Sequence, residues 1–215
     1  MALISLSIFS LVLKMDMYIC PMDLVFATNN AHKLEEVRTI LHDQLHIKTL
    51  SDISYNSELP ETTGTITGNA IQKAQTLFNE TGLACFADDT GLEIDALDGN
   101  PGVDTAHYAG IERDSIKNMN RVLSEMDGVV ERSARFITVI AFVNKDGVQT
   151  FEGEVKGKIA HVISGHGGFG YDPIFIPEGF DQTFAELHQS IKNEISHRAR
   201  ATALFANWIN QNMSI

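Results

Sequence analysis

Apolar residues in this chain recur with two different periods, and the order in which those periods alternate reads as an α/β protein. Leu24-Val-Phe-Ala27 is a short unbroken apolar run, the pattern of a strand covered on both faces. Two asparagines end it, after which Leu34, Val37, Leu41 and Leu45 recur at helical spacing. A second helix is expected over about 69–79, with Ala70, Ala74, Leu77 and Phe78 on its inner face. Leu83-Ala-Cys-Phe-Ala87 is another buried-strand run, expected to end at Asp88-Asp89. Glu93-Ile-Asp-Ala-Leu97 then alternates loosely before a turn at Asp98-Gly99. Ile116, Met119, Leu123 and Met126 mark a helix over 115–126. Residues 136–143 and 151–159 read as an antiparallel pair joined through Lys145-Asp-Gly147. A last helix is expected over about 195–209, with Ala199, Leu204, Phe205 and Trp208 as its apolar stripe. The chain shows no repeat, linker or low-complexity tract. The expected architecture is a single α/β domain of two lobes around a mixed, twisted β-sheet flanked by helices, spanning residues 23–212.

Composition narrows the class. The chain has 215 residues, 44% of them apolar and 20% charged, ordinary values for a globular domain able to bury about 70% of its unfolded surface. Sixteen basic against 28 acidic residues leave a net charge of −12. That sign opposes binding to a nucleic-acid backbone yet leaves room for one free nucleotide, which needs only a few local cations. Cys20 and Cys85 form no C-x-x-C and no metal-ligand spacing, which suits a reducing cytoplasmic setting. Residues 1–22 read differently from the rest. Their apolar stretch from Ala2 to Leu13 is too short to cross a membrane, and Lys14 follows it where a secretory leader would carry positive charge in front. An over-extended start is expected, with a disordered extension and a targeting segment as the alternatives.

Four segments could carry chemistry. Thr28-Asn-Asn-Ala-His-Lys33 lies between the first strand and first helix, where backbone N–H groups and a lysine attract anions. The plain alternative is an asparagine cap followed by a solvated lysine. Ala87-Asp-Asp-Thr-Gly91 places two carboxylates at a strand end. Adjacent side chains in an extended chain point to opposite sides, so both can serve one site only if Thr-Gly turns the backbone. Hard oxygen ligands there suit magnesium, and a carboxylate beside it can take a proton from water. Glu61 could add a further carboxylate, although alone it is an ordinary loop acid. Gly165-His-Gly-Gly-Phe-Gly-Tyr-Asp-Pro173 matches G-x-G-x-x-G by spacing, but a strand-like Ile174-Phe-Ile176 follows instead of a helix, which excludes a dinucleotide fingerprint. Phe169 within it is a natural plate for a base. Lys192-Asn-Glu-Ile-Ser-His-Arg198 is a basic cluster in an acidic protein, which by itself reads as a helix surface.

Taken in this order and spacing, the segments resemble the inosine triphosphate pyrophosphatase family, also called XTP/dITP pyrophosphatases, from about Leu24 to Trp208. Leu24 to Lys33 resembles the family's opening strand and phosphate loop. Ala87 to Leu92, with Pro101-Gly-Val103 and Tyr108-Ala-Gly110, resembles its catalytic stretch. Gly167 to Phe175 and Ile195 to Arg198 are similar to its base pocket. Two positions depart: Gly68 stands where relatives commonly carry glutamate, and His188-Gln-Ser-Ile191 replaces Ser-Pro-Glu-Glu.

The resemblance implies a magnesium-dependent hydrolase that splits ITP, dITP, XTP and dXTP to the monophosphate and pyrophosphate, in a cleft between the lobes. It implies that Thr28, Asn29, Asn30, Ala31, His32 and Lys33 hold the triphosphate, with Lys73 near it. Asp89 is the implied proton acceptor and metal ligand, and Asp88 and Glu61 the implied supports of the Mg2+ site. Thr90 would contact substrate. Phe169, Gly170, Tyr171, Asp172, Lys192, His197 and Arg198 would enclose base and sugar. On chemical grounds the donors of Arg198, and of His197 if protonated or suitably tautomeric, are then expected to meet the carbonyl at purine position six. A homodimer is implied, with no nucleic-acid or membrane partner. The alternatives are a pyrophosphatase for modified or pyrimidine nucleotides and a nucleotide-binding regulator without hydrolysis.

Overall fold

Strand β1 (Asp23–Phe26) pairs in parallel with β2 (His46–Lys48) on one side and β3 (Cys85–Ile94) on the other. The computed structural model describes residues 23–41 and 45–213; the extension expected over 1–22, with Cys20, lies outside the described residues. The connections between these strands are helical, α1 (Ala31–Leu41) and α2 (Ile66–Thr81). Alternation along β1 explains where the helices go. Leu24 and Phe26 pack with Val37 and Leu41 of α1, whereas Val25 and Ala27 pack with Ala70, Ala74 and Leu77 of α2. The chain thus leaves β1 to one side and returns on the other, with its two helices on opposite faces. In open α/β sheets the crevice at such a reversal, beyond the carboxyl ends of the strands, is where ligands bind.

Past β3 the sheet becomes antiparallel. Strands β4 (Pro101–Gly102), β5 (Ser133–Asn144), β6 (Gly147–Ile159) and β7 (Phe175–Pro177) complete a seven-stranded sheet of order β2-β1-β3-β5-β6-β7, with β4 on β3. Helices α3 (Ser115–Glu125), α4 (Gln189–Ile195) and α5 (His197–Asn212) finish the domain. The expected mixed sheet and its hairpin at 145–147 are therefore present.

The two lobes share β3, β5 and β6. In one, the sheet lies between α2 and the pair α1 and α5, and Phe205 and Ile209 of α5 pack on Phe86, Phe142 and Phe151. In the other, Leu92 and Ile94 of β3 join Met119 and Val122 of α3 with Phe175 and Phe184. Among the described residues, no helix is long and apolar enough to cross a membrane.

Several expectations need correction. Strand β3 does not stop at Asp88-Asp89; it pairs with β5 without a break from Cys85↔Val143 to Ile94↔Ala134. Continuous pairing to β5 holds the chain extended, so Thr90-Gly91 makes no turn. The expected last helix is present as α5, which begins at His197 because Ser196 is extended (φ −66°, ψ 157°) and its hydroxyl accepts from the Ala199 N–H; the short α4 just before it was not expected. Ile116 and Leu204, expected inside, are exposed; Val122, Ala201 and Ile209 fill the buried stripes instead.

Helix α5 approaches β6 closely enough to require a residue without a side chain. A Cβ at Gly153 would fall 2.3 Å from the His197 carbonyl oxygen and 2.4 Å from the Ala201 nitrogen, both backbone atoms of α5. Gly153→Ala must push the helix off the sheet, and we expect a loss of about 1–3 kcal/mol from this overpacking. The urea midpoint measures it, and an unchanged midpoint would show that α5 is not seated this tightly.

Candidate active site

The cleft lies where β3 outruns its neighbours. Strand β1 pairs only as far as Phe26↔Phe86, and β4 begins at Leu92↔Gly102, leaving an open edge between them. Lysines fill part of the gap: the Asp88 carbonyl accepts from Lys73 Nζ at 2.8 Å and lies 3.5 Å from Lys33 Nζ. Residues from both lobes line the resulting cleft of about 970 Å³.

Because β3 stays extended, its two aspartates point to opposite faces. Asp88 faces α1 and α5, where it meets Lys33 Nζ at 3.0 Å and Arg198 Nε at 3.1 Å. Asp89 faces α2, with Lys73 Nζ at 3.4 Å; that ammonium also lies 2.5 Å from Glu61. The surroundings drive the acids apart. Burial would raise the Asp88 pKa, but Lys33, Arg198 and Lys73 overcome it and hold the carboxyl far below the usual carboxylate range. At Asp89 burial prevails over Lys73 and Lys33, with Glu61 and Asp88 adding to the rise, so its pKa is raised. Burial lowers Lys33. At Lys73 burial is outweighed by Asp89, Asp88 and Glu61, which keep the ammonium above its ordinary value.

Buried ion pairs continue behind Asp88. Arg198 donates from Nη1 to Glu36 at 2.5 Å and from Nη2 to Thr90 Oγ1 at 3.0 Å. Lys192 reaches the other Glu36 oxygen at 2.7 Å and Asp172 at 2.6 Å. The cluster expected on a helix surface is thus interior. Asp172 in turn accepts the Phe169 N–H at 2.7 Å, and a Cβ at Gly168 (φ +68°) would meet the same carboxylate at 2.0 Å. Glycine is therefore required there on both counts. The Phe169 ring stands with Lys192 Nζ 4.9 Å and the Arg198 guanidinium carbon 5.6 Å from its centroid.

Of the site residues expected from the sequence, all but Ala31, His32 and Asp88 line the cleft. Asn30 does cap α1, accepting from the His32 and Lys33 N–H groups, and Lys33 is turned inward to Asp88. His32 stacks on Phe169, with centroids 5.2 Å apart, so it belongs with the plate and not with the phosphate loop. The expected ligand trio of Asp89, Asp88 and Glu61 does not assemble. The Asp88 carboxylate is on the wrong face, and among the described residues no three His, Cys, Asp or Glu side chains gather around a cation position. Asp89 and Glu61 remain as two hard oxygen donors sharing Lys73.

The donors foreseen for the base are limited in number. Arg198 already spends three N–H groups on Asp88, Glu36 and Thr90, leaving two. His197 is stacked on Phe136 with Nδ1 unpartnered, and burial, Arg198 and Lys192 push its pKa well below the usual value, so it is neutral. Sequence reading missed Glu36 altogether. Its position among Glu35 and Arg38 resembles a solvated face, and at about 100° per residue it stands well away from the stripe of Leu34, Val37 and Leu41, so the local pattern held no signal for it.

With this geometry the chain can be set beside known proteins. The Ham1 family pattern matches residues 24–208. A Porphyromonas gingivalis protein named dITP/XTP pyrophosphatase is 47% identical over 187 residues, covering 86% of this chain and 96% of that protein. A Flavobacterium johnsoniae protein of the same name is 49% identical over 181 residues, covering 84% and 94%. Among solved structures, the Staphylococcus aureus Ham1 protein superposes with a TM-score of 0.81 at 34% identity, covering 88% of this chain and 98% of that one.

The ion network makes stability depend on pH. Glu36, like Asp88, titrates below its ordinary range: burial opposes this, and Arg198 and Lys192 overcome it. Unfolded carboxyls take up protons near pH 4, so the stability these groups supply is complete above that pH. It is lost as pH falls, because the unfolded chain then binds more protons. Asp88→Asn removes one such group and strands Lys33 and Arg198. We expect it to cost roughly 3–5 kcal/mol at pH 7 and to flatten the decline between about pH 5 and 3. Urea titrations across that range test this; a variant as steep as wild type would show that Asp88 is not held ionised.

Proposed function

This chain belongs to the Ham1 family, and from that premise we propose that its cleft hydrolyses non-standard purine nucleoside triphosphates, those of hypoxanthine and xanthine, to nucleoside monophosphate and pyrophosphate. One observation carries the reading. A stacking plate, Phe169, with cations over it lies in the same cleft as a buried acid of raised pKa flanked by lysines. A base stacked at one end directs its phosphates toward Asp89 and Lys73 at the other.

In this mechanism Lys33 and Lys73 draw the phosphates onto the open edge of β3, where Thr28 and Asn29 at the end of β1 also face the cleft. Asp89 accepts a proton from a water whose oxygen attacks the α-phosphorus. The bond from that phosphorus to the oxygen bridging to the β-phosphate breaks, and its electron pair leaves with pyrophosphate. A base in this role works best with a pKa nearer neutrality, the direction in which burial moves Asp89. Asp89 and Glu61 are the donors that fit Mg2+, which takes few protein oxygens and keeps waters and phosphates as its other ligands; when bound it supplies charge neutralisation at the reacting phosphate. The Asp88 carboxylate positions Lys33 and Arg198. Stacking accepts any purine, so discrimination falls to the edge of the base. The two uncommitted Arg198 N–H groups favour a carbonyl at position six over an amino group.

The reading extends to a homodimer in a reducing cytoplasm, without nucleic-acid or membrane partners. The net charge of −12 supports the absence of nucleic acid, and Cys85, whose pKa burial raises to about 12, is an inert thiol suited to that compartment. The dimer rests on family resemblance alone.

Release of pyrophosphate from a panel of purine and pyrimidine triphosphates with magnesium is the test. Turnover of ITP and XTP well above ATP is expected, and Asp89→Asn should lower kcat by at least about 100-fold while leaving the urea midpoint near wild type. A variant retaining a tenth of wild-type activity would remove Asp89 from the role of base. A wild-type preference for pyrimidine triphosphates would overturn the substrate class.

A further inference from the structure

Five lysines and arginines line the cleft, and four of them are already committed. Lys33, Lys73, Lys192 and Arg198 have side chains no more than 15% exposed, each within 3.0 Å of at least one carboxylate oxygen. Arg113 is different. It sits on the loop leading into α3, its side chain 64% exposed, and among the described residues its only ion pair is with Glu61 Oε2 at 3.7 Å. That separation is longer than a hydrogen bond. The backbone at Arg113 is also unusual, with φ +53°, a left-handed conformation that a side chain such as arginine rarely adopts and that costs energy to hold. Asp114, the next residue, caps α3 through the Ile116 and Lys117 N–H groups, so the strained residue is anchored on its far side.

Its place in the cleft gives this cation a use. Phe169, Lys192 and Arg198 form one end. From Asp89 the contacts run through Lys73 to Glu61 and then to Arg113, none of them among the groups that stand over the plate. We propose that Arg113 grips the β- and γ-phosphates of the bound nucleotide, the pair that leaves as pyrophosphate, by exchanging its loose contact with Glu61 for them. This inference rests on the activity proposed above and adds a phosphate-binding residue to it. Glu61 holds the guanidinium over the cleft mouth until a stronger anion arrives. A guanidinium presents a planar fork that pairs with phosphate oxygens in parallel, whereas one carboxylate oxygen at 3.7 Å offers it little. The exchange also releases a Glu61 oxygen that the cation otherwise screens. The other four cations are held by buried carboxylates: Lys73 and Lys192 are the cations paired with Asp89 and Asp172, and Lys33 and Arg198 share Asp88.

Binding of the two products separates this role from a structural one. Calorimetric titrations with inorganic pyrophosphate and, separately, with inosine monophosphate are compared for wild type, Arg113→Ala and Arg113→Lys. The alanine variant should bind pyrophosphate about 10- to 100-fold more weakly, the loss expected for charge-assisted hydrogen bonds. Inosine monophosphate should bind within about twofold of wild type, because its contacts lie at the other end of the cleft. Lysine should restore part of the pyrophosphate affinity, having the charge without the fork. Unchanged pyrophosphate affinity in the alanine variant, or an equal loss for both ligands, overturns the role of Arg113. Wild-type protein that hydrolyses no inosine triphosphate overturns the proposed activity instead.

Discussion

Arg198 is the residue on which the cleft depends. Its guanidinium is almost wholly buried at the meeting point of α1, β3 and α5, bonded to Glu36, Thr90 and Asp88. Removing a charge from water costs several kcal/mol per ion, so such a cluster persists only when every member is fully bonded. Here Lys33 completes Asp88, Lys192 completes Glu36, and Asp172 completes Lys192. The energy gained by folding around this network is modest, because attraction and desolvation nearly cancel. The gain is in geometry. Three elements that pack through non-directional apolar contacts are held in a defined register by bonds with direction. The last member, Asp172, passes that order to the backbone of Phe169.

The two aspartates of β3 show how one strand divides structure from chemistry. They are neighbours of identical type, yet their acidities move in opposite directions. Strand alternation aims Asp88 at the cations of α1 and α5 and Asp89 at the single lysine of α2. A carboxylate saturated by Lys33 and Arg198 cannot take a proton at useful pH. One that is buried with less compensation can. The fixed anion orients the lysine and arginine at the back of the cleft, and the adjustable one lines the cleft itself. Separation of the acids across the sheet is what allows two neighbouring carboxyls to differ so far in acidity.

Much of this architecture was legible in the amino-acid order. Unbroken apolar runs at 24–27 and 83–87 gave covered strands, and helical spacing gave α1, α2 and α3, because burial on one or two faces leaves a period that neighbours in sequence record. Glycine and asparagine after these runs marked the loops that carry Thr28 and Phe169. The residue types needed for a nucleotide site were visible as well, although each segment alone also had a plain reading and only their order and spacing together pointed to the site.

What the amino-acid order could not settle were the questions answered by partners distant along the chain. The strand through Asp88-Asp89 looked as though it should turn at Thr90-Gly91, and only pairing with β5, some fifty residues on, keeps it straight and sends the two carboxylates apart. Glu36 resembled a solvated helix residue until Lys192 and Arg198, more than 150 residues away, were brought against it. Arg113 carried no signal at all, for it matters only because a loop lays it beside Glu61. Local periodicity records which face of an element is buried. It holds no record of what lies on the other side of that contact, and the pairing of charges, the acidity of each carboxyl and the loosely paired cation at the mouth of the cleft are all properties of that other side.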